Sequence, residues 1–123
     1  MDAAAPRAGS IAVWDVVRID FPFADDARTR RRPGLVVAIP EVSGSFAVLW
    51  VAMITSAPTG MWPQDVPISD LRLGGLDHTC VVRISKVTVL DVRLAVRIGE
   101  LADADRVKVR NGLRSVLKDA LAE

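Results

Sequence analysis

One cysteine, Cys80, and one histidine, His78, are all that the 123 residues hold of either type. A lone cysteine excludes an intrachain disulfide and fits a reducing compartment. A lone histidine excludes a two-histidine acid/base site within one chain. With only scattered carboxylates beside these two residues, no metal-ligand set is legible, so no metal and no cofactor is expected. A Gly-rich Walker loop and a dinucleotide fingerprint are also missing. The longest apolar run, Phe46 to Ile54, falls far short of the roughly 20 residues that a membrane span requires. The opening Met1-Asp2-Ala3-Ala4-Ala5-Pro6 lacks the basic and apolar regions of a signal peptide. These absences point to a cytoplasmic protein with no membrane partner. Charge of one sign is scarce too: 16 basic residues against 15 acidic leave a net charge of +1. Any polyanion must therefore be held by local charge placement, not by the overall balance. Half the residues are apolar and a quarter charged, the composition of one globular domain with a single core.

The pattern along the chain is mostly that of strands. Residues 1–10 read as a flexible N-terminal tail, and residues 11–123 as a single domain. Ile11, Val13, Val17, Ile19 and Phe21 alternate with Trp14, Arg18 and Asp20, the period of a strand with one buried face. Residues 22–33 form a polar loop, Gly34 to Ile39 a second strand, and Phe46 to Ile54 a third. Pro58, Gly60 and Pro63 mark a second loop over residues 57–65. Asp65 to Ile68 fits a short strand. Ser69 to Gly75 fits one helical turn, with Ser69 as its cap and glycine at its end. Thr79 to Ile84 and Lys86 to Leu90 return to the β pattern. The period then changes: Val109, Leu113, Val116, Leu117, Ala120 and Leu121 recur at helical spacing, with Asp103 or Asp105 placed to cap the start. This stripe is expected to lie on the sheet. Gly112 costs about 1 kcal/mol of helix propensity against alanine, which predicts close packing there or a weak spot. Short strands followed by a terminal helix predict a mainly β, small barrel-like domain.

The chemistry-bearing residues are arginines and hydroxyls. Arg28, Arg30, Arg31 and Arg32 crowd the connection between two apolar runs, and their planar forks match phosphate geometry. A charge run is ordinarily a solvated loop. Here Pro33 disfavours helix at Arg32 and stiffens a strand entrance behind it. Thr55 ends another apolar run, where a threonine is most often a β-branched filler. Cys80 reads as a small buried residue. His78 reads as an exposed loop residue; a Cys80–His78 nucleophile pair lacks a third group to orient the ring. Trp62 suits base stacking, anchoring of a protein partner, or covering of the core edge. Trp14 and Trp50 read as core or dimer-face residues. Arg83 and Lys86 fit a strand edge guarded by charge.

The order of several fragments resembles the MazF/PemK family of toxin endoribonucleases from type II toxin–antitoxin systems. The likeness runs from about Val13 to Leu117. It is carried by Asp15-Val16-Val17-Arg18-Ile19-Asp20-Phe21-Pro22-Phe23, Arg31-Arg32-Pro33-Gly34-Leu35-Val36-Val37 and Ile54-Thr55-Ser56. Asp65-Val66-Pro67-Ile68, Gly75-Leu76, Val81-Val82-Arg83-Ile84 with Lys86 and Leu90-Asp91, and Arg97-Ile98-Gly99-Glu100-Leu101 follow in the family's order. The resemblance implies an SH3-like barrel of the CcdB/PemK type with a C-terminal helix, working as a homodimer with a cognate antitoxin. It implies metal-independent, sequence-selective cleavage of single-stranded RNA, by attack of a 2′-hydroxyl that leaves a 2′,3′-cyclic phosphate. The family's functional pair maps onto Arg32 and Thr55, with RNA contacts at Arg28, Arg30, Arg31, Ser56, Trp62, Arg83 and Lys86. Two departures stand out. Trp14 replaces the glycine that usually precedes the first-strand Asp, and Ala24 to Arg31 contains no glycine. A toxin of the same fold, or an SH3-like module, that acts by binding protein without cutting RNA is the alternative.

Overall fold

The computed structural model describes residues 11–20, 31–42, 47–57 and 60–123. The expected N-terminal tail, Arg28 and Arg30 lie outside the described residues. Among the described residues, six strands form one open antiparallel sheet: β1 (Asp15–Asp20), β2 (Arg31–Ala38), β3 (Val48–Ser56), β4 (Val66–Pro67), β5 (Cys80–Asp91) and β6 (Ala95–Glu100). Their order across the sheet is β4-β5-β3-β2-β1-β6. A 3₁₀ turn, Val92–Leu94, links β5 to β6, and the helix α1 (Asp103–Leu121) closes the chain. The expected mainly β architecture with a C-terminal helix is what forms, as a barrel-like sheet that stays open.

The strands do not bury one face only. In β1 the neighbours Val16 and Val17 are both fully buried, and they belong to different clusters. Val16, Leu35, Ala52, Ile54, Val82 and Ile84 form one cluster with Leu101 and Val109. Val17, Ile19, Val36, Leu49, Val51 and Met53 form the other, with Ile11, Leu90 and Val92. A sheet packed on both faces needs near-continuous apolar runs, which the Leu49 to Ile54 stretch supplies. Fully burying a Val or Leu side chain stabilises by about 1.5–3 kcal/mol, so the two clusters together hold the sheet.

Several boundaries differ from those the sequence suggests. β2 begins at Arg31 rather than Gly34, so Pro33 lies inside a strand, opposite Arg18 of β1. β3 runs on to Ser56, taking in Thr55. The two β segments expected around Ser85 are one strand, β5. Its register against β3 jumps from Met53↔Arg83 to Ala52↔Val87, which leaves Ile84, Ser85 and Lys86 in a bulge. In the turn after β4, Asp70 supplies the cap, its carboxylate accepting from Leu73 N at 3.0 Å. Ser69 instead donates its N–H and hydroxyl to Asp105 at 2.8 and 2.9 Å. Asp105 is therefore a buried tether rather than a helix cap, and α1 starts at Ala102 with no side-chain cap bond.

The apolar stripe of α1 is only half used. Val109 and Gly112 are buried, whereas Val116, Leu117 and Leu121 are exposed. Gly112 permits the close approach anticipated from its cost: a Cβ there would meet Ile84 Cδ1 at 2.4 Å. Contact is closest in this part of the helix, and the last turns stand clear of the chain's own core. At the far edge, Gly99 lies against Gly74 and Leu73, leaving no room for a Cβ. Gly75 beside it has φ +72°, the left-handed conformation that glycine accepts without strain.

Candidate functional site

Arg32 and Thr55 enter the site from adjacent strands. The β2–β3 register pairs Gly34 with Met53 and Leu35 with Ala52. Two residues further along that antiparallel ladder, Arg32 falls opposite Thr55. Gly34 and Val36, which share the face of Arg32, lie with Met53 and Val51 on the same side of the sheet, consistent with a period of two. Arg32 is exposed and Thr55 half-buried, so a cation and a hydroxyl on neighbouring strands are both open to solvent. On the other side Arg32 pairs with Ile19 of β1. Arg32 thus lies on a strand paired with β1 at this position, while the pairing with β3 begins two residues later, at Gly34. Arg31 precedes it, opposite Asp20.

Arg83 shares the sheet face of Thr55, because β5 pairs Val81 with Thr55 and Arg83 with Met53. It is not an open cation. Its Nη2 donates to Asp65 Oδ2 at 2.9 Å and to the Gly60 carbonyl at 2.8 Å, and its Nε donates to Asp65 Oδ1 at 3.3 Å. The two side chains retain only 9% and 0% of their exposure. Asp65 also accepts from Trp62 N at 2.7 Å, and the Trp62 ring lies over the Arg83 guanidinium at 4.1 Å. The arginine expected at the RNA surface is therefore the anchor of the 60–65 loop. It fixes Trp62 with 47% of its surface still exposed. A ring held from one side on a cation leaves other surface free for a partner. Lys86 is exposed in the β5 bulge, farther along the strand from Val81.

Ser56 brings in a group that the sequence reading set aside. It is the last residue of β3, opposite Cys80. Two residues before Cys80, His78 reaches the same face, and its Nε2 lies 3.0 Å from Ser56 Oγ. Its Nδ1 lies 2.8 Å from Asp77 Oδ1. The histidine is exposed, as expected, yet its ring has the orienting third group that seemed missing. The partner is Ser56 rather than Cys80, whose thiol turns away to donate to the His78 carbonyl at 3.1 Å. Hydrogen bonding to His78, followed by its charge, lowers the Asp77 pKa. Burial, followed by the charge of Asp77, raises that of the Cys80 thiol. The signals in the sequence were the Asp77-His78 pair and the serine of Ile54-Thr55-Ser56. The sequence separation of 22 between Ser56 and His78 conceals the contact.

Among the described residues no group of three or more His, Cys, Asp or Glu is arranged to hold a metal ion. Among the same residues, no helix is long and apolar enough to cross a membrane. Trp14 packs against the helix-side cluster, below Arg106 and Arg110 of α1. Trp50 is exposed, opposite Val89 of β5, so it is not a core residue.

Residues 12–117 match the family model of the PemK-like, MazF-like toxins of type II toxin–antitoxin systems. No curated protein sequence matches the chain. Solved structures of the same fold include the MazE–MazF complex of Deinococcus radiodurans, at 21% identity. It has a TM-score of 0.59 over 85% of this chain and 92% of that one. The Mycobacterium tuberculosis toxin MazF-mt6 is 16% identical, with a TM-score of 0.63 over 85% and 96%. A mycobacterial endoribonuclease in complex with its cognate antitoxin is 18% identical, with a TM-score of 0.60 over 90% and 96%.

Proposed function

Since the chain belongs to the PemK-like, MazF-like family of type II toxin–antitoxin toxins, we propose that it is a sequence-selective endoribonuclease that cuts single-stranded RNA without a metal ion. The observation that carries this reading is the placement of Arg32 opposite Thr55, by extension of the β2–β3 register.

The substrate supplies its own nucleophile. The 2′-oxygen bonds to the adjacent phosphorus and loses its proton, while the bond from phosphorus to the 5′-oxygen breaks and that oxygen gains one. The products are a 2′,3′-cyclic phosphate and a 5′-hydroxyl. Arg32 grips the non-bridging oxygens as charge builds on them, and Thr55 hydrogen-bonds a phosphate oxygen or orients the guanidinium. A guanidinium with a pKa above about 12 is a poor proton donor, so its role is electrostatic. Arg28, Arg30 and Arg31 track the phosphate backbone, and their contribution falls with added salt. Trp62 offers a ring for a splayed base, a contact worth about 1–3 kcal/mol. Arg83 acts through Trp62 instead of touching RNA.

Regulation by a cognate antitoxin that lies along this basic face and competes with RNA belongs to the same reading. So does a homodimer, for which the exposed Val116, Leu117 and Leu121 of α1 offer apolar surface. The test is incubation of a long single-stranded RNA with the purified protein in EDTA, beside Arg32→Ala and Thr55→Ala. Discrete cuts are expected from the parent. Loss of one well-placed donor is expected to slow cleavage on the order of a hundredfold or more. Intact RNA with the parent protein, under conditions where it binds a partner and arrests growth, moves the weight to a toxin that acts by binding.

A further inference from the structure

We propose that Ser56, His78 and Asp77 form the proton-accepting relay of the RNA-cleaving site, with Ser56 meeting the attacking 2′-hydroxyl. This rests on the ribonuclease reading above and goes beyond the Arg32–Thr55 pair. That pair stabilises charge but leaves the 2′-hydroxyl proton without an acceptor. Arginine and threonine do not accept a proton near neutral pH, whereas imidazole does.

The geometry assigns the roles. With a carboxylate 2.8 Å from Nδ1, that nitrogen carries the ring proton in neutral imidazole. Nε2 then presents its lone pair to the Ser56 hydroxyl at 3.0 Å. As the O2′–P bond forms, the 2′-hydroxyl proton passes to Ser56 Oγ and the serine proton passes to Nε2. The resulting imidazolium is stabilised by Asp77. As the P–O5′ bond breaks, the 5′-oxygen takes a proton from water, and the imidazolium returns one to water. Atoms and charge balance with no further reagent.

Position supports the assignment. Ser56 follows Thr55 directly and ends β3, so the two side chains face opposite sides of the strand at its rim. In an in-line displacement the entering oxygen is axial and the non-bridging oxygens are equatorial, so a group that meets the entering oxygen and groups that grip the others approach phosphorus from different directions. Stability does not explain the arrangement, because the His78 and Asp77 side chains are 58% and 95% exposed and surface pairs of this kind contribute little. Among the described residues, the titratable groups in contact with His78 are Asp77 on its own turn and Cys80 of β5.

The experiment is the pH dependence of RNA cleavage at saturating RNA, for the parent chain and for His78→Gln, Ser56→Ala, Asp77→Asn and Arg32→Ala. Binding of a 2′-O-methyl RNA that cannot be cut is measured alongside. His78→Gln is expected to lower kcat about a hundredfold or more, the usual span of a positioned acid or base. It is also expected to remove the parent's dependence of rate on pH, while the 2′-O-methyl RNA binds as before. Ser56→Ala should lose kcat in the same sense, and Asp77→Asn should lose less. If Arg32→Ala is inactive while His78→Gln keeps the parent's kcat and pH profile, the relay falls and the ribonuclease reading stands. If the parent leaves RNA uncut at every pH, both fall.

Discussion

Replacing Asp65 by asparagine probes an ion pair that is enclosed by the fold and also faces the candidate site. Asp65 continues the β4–β5 register, Val66↔Val82 and Pro67↔Val81, and so falls opposite Arg83. Its carboxylate accepts two bonds from that guanidinium and one from Trp62 N. Both side chains are almost wholly withdrawn from water, so solvent screening does not discount the pair as it does at a surface. Removing one charge leaves the other buried and uncompensated, which costs about 3–5 kcal/mol. A domain of this size has roughly 5–15 kcal/mol in all. With a urea slope of about 1–3 kcal/mol per molar, the midpoint should fall by roughly 1 M or more. Urea unfolding followed by far-ultraviolet circular dichroism reads this directly. The double variant Asp65→Asn with Arg83→Met should recover much of the loss, because no unpaired charge remains. A loss under about 1 kcal/mol for Asp65→Asn, or a double variant no better than the sum of its parts, would refute the buried-pair argument.

Two further perturbations test other parts of the fold. Gly99→Ala should destabilise by about 1–3 kcal/mol or more, seen as a lower melting temperature, because the added Cβ would come within 2.4 Å of Leu73 O and the Gly74 carbonyl carbon. Backbone cannot move aside as a side chain does. Hydrogen bonds from Arg93, first its side chain and then its N–H, hold the Asp91 carboxyl at about 2 instead of its ordinary 3.8. A pKa depressed by folding adds stability at pH above 3.8, and that stability is lost as pH falls from there through about 2. Asp91→Asn should therefore flatten the acid limb of stability in that window, and an unchanged limb would contradict the assignment.

What the sequence made legible follows from how local each signal is. The existence of β1, the helical spacing from Val109 to Leu113 and the turn glycine at Gly75 are set by neighbours a few residues apart, and they read correctly; the alternation in β1 does not, since Val16 and Val17 are both buried. Pro33 misled because proline usually interrupts a strand. Here β2 carries it between paired neighbours. Arg83 looked like a surface cation because its partner, Asp65, stands 18 residues away; only the β4–β5 pairing brings the two together. His78 was set aside for the same reason, its hydroxyl partner lying on another strand. The stripe at Val116, Leu117 and Leu121 has the periodicity of a buried face, yet periodicity does not say where the chain's own core ends. Arg32 and Thr55 are paired by family motifs, the β2–β3 pairing itself beginning at Gly34 and Met53, while Arg28 and Arg30 lie outside the described residues.

The central claim is that the substrate provides the nucleophile, with Arg32 and Thr55 stabilising the phosphate it attacks. The most direct test uses an RNA oligonucleotide that spans a mapped cut, beside the same oligonucleotide with a single 2′-deoxy nucleotide on the 5′ side of the scissile phosphate. The account predicts that the all-RNA strand yields a 2′,3′-cyclic phosphate and a 5′-hydroxyl, and that the substituted strand stays intact. Cleavage of the 2′-deoxy strand at a comparable rate would contradict it.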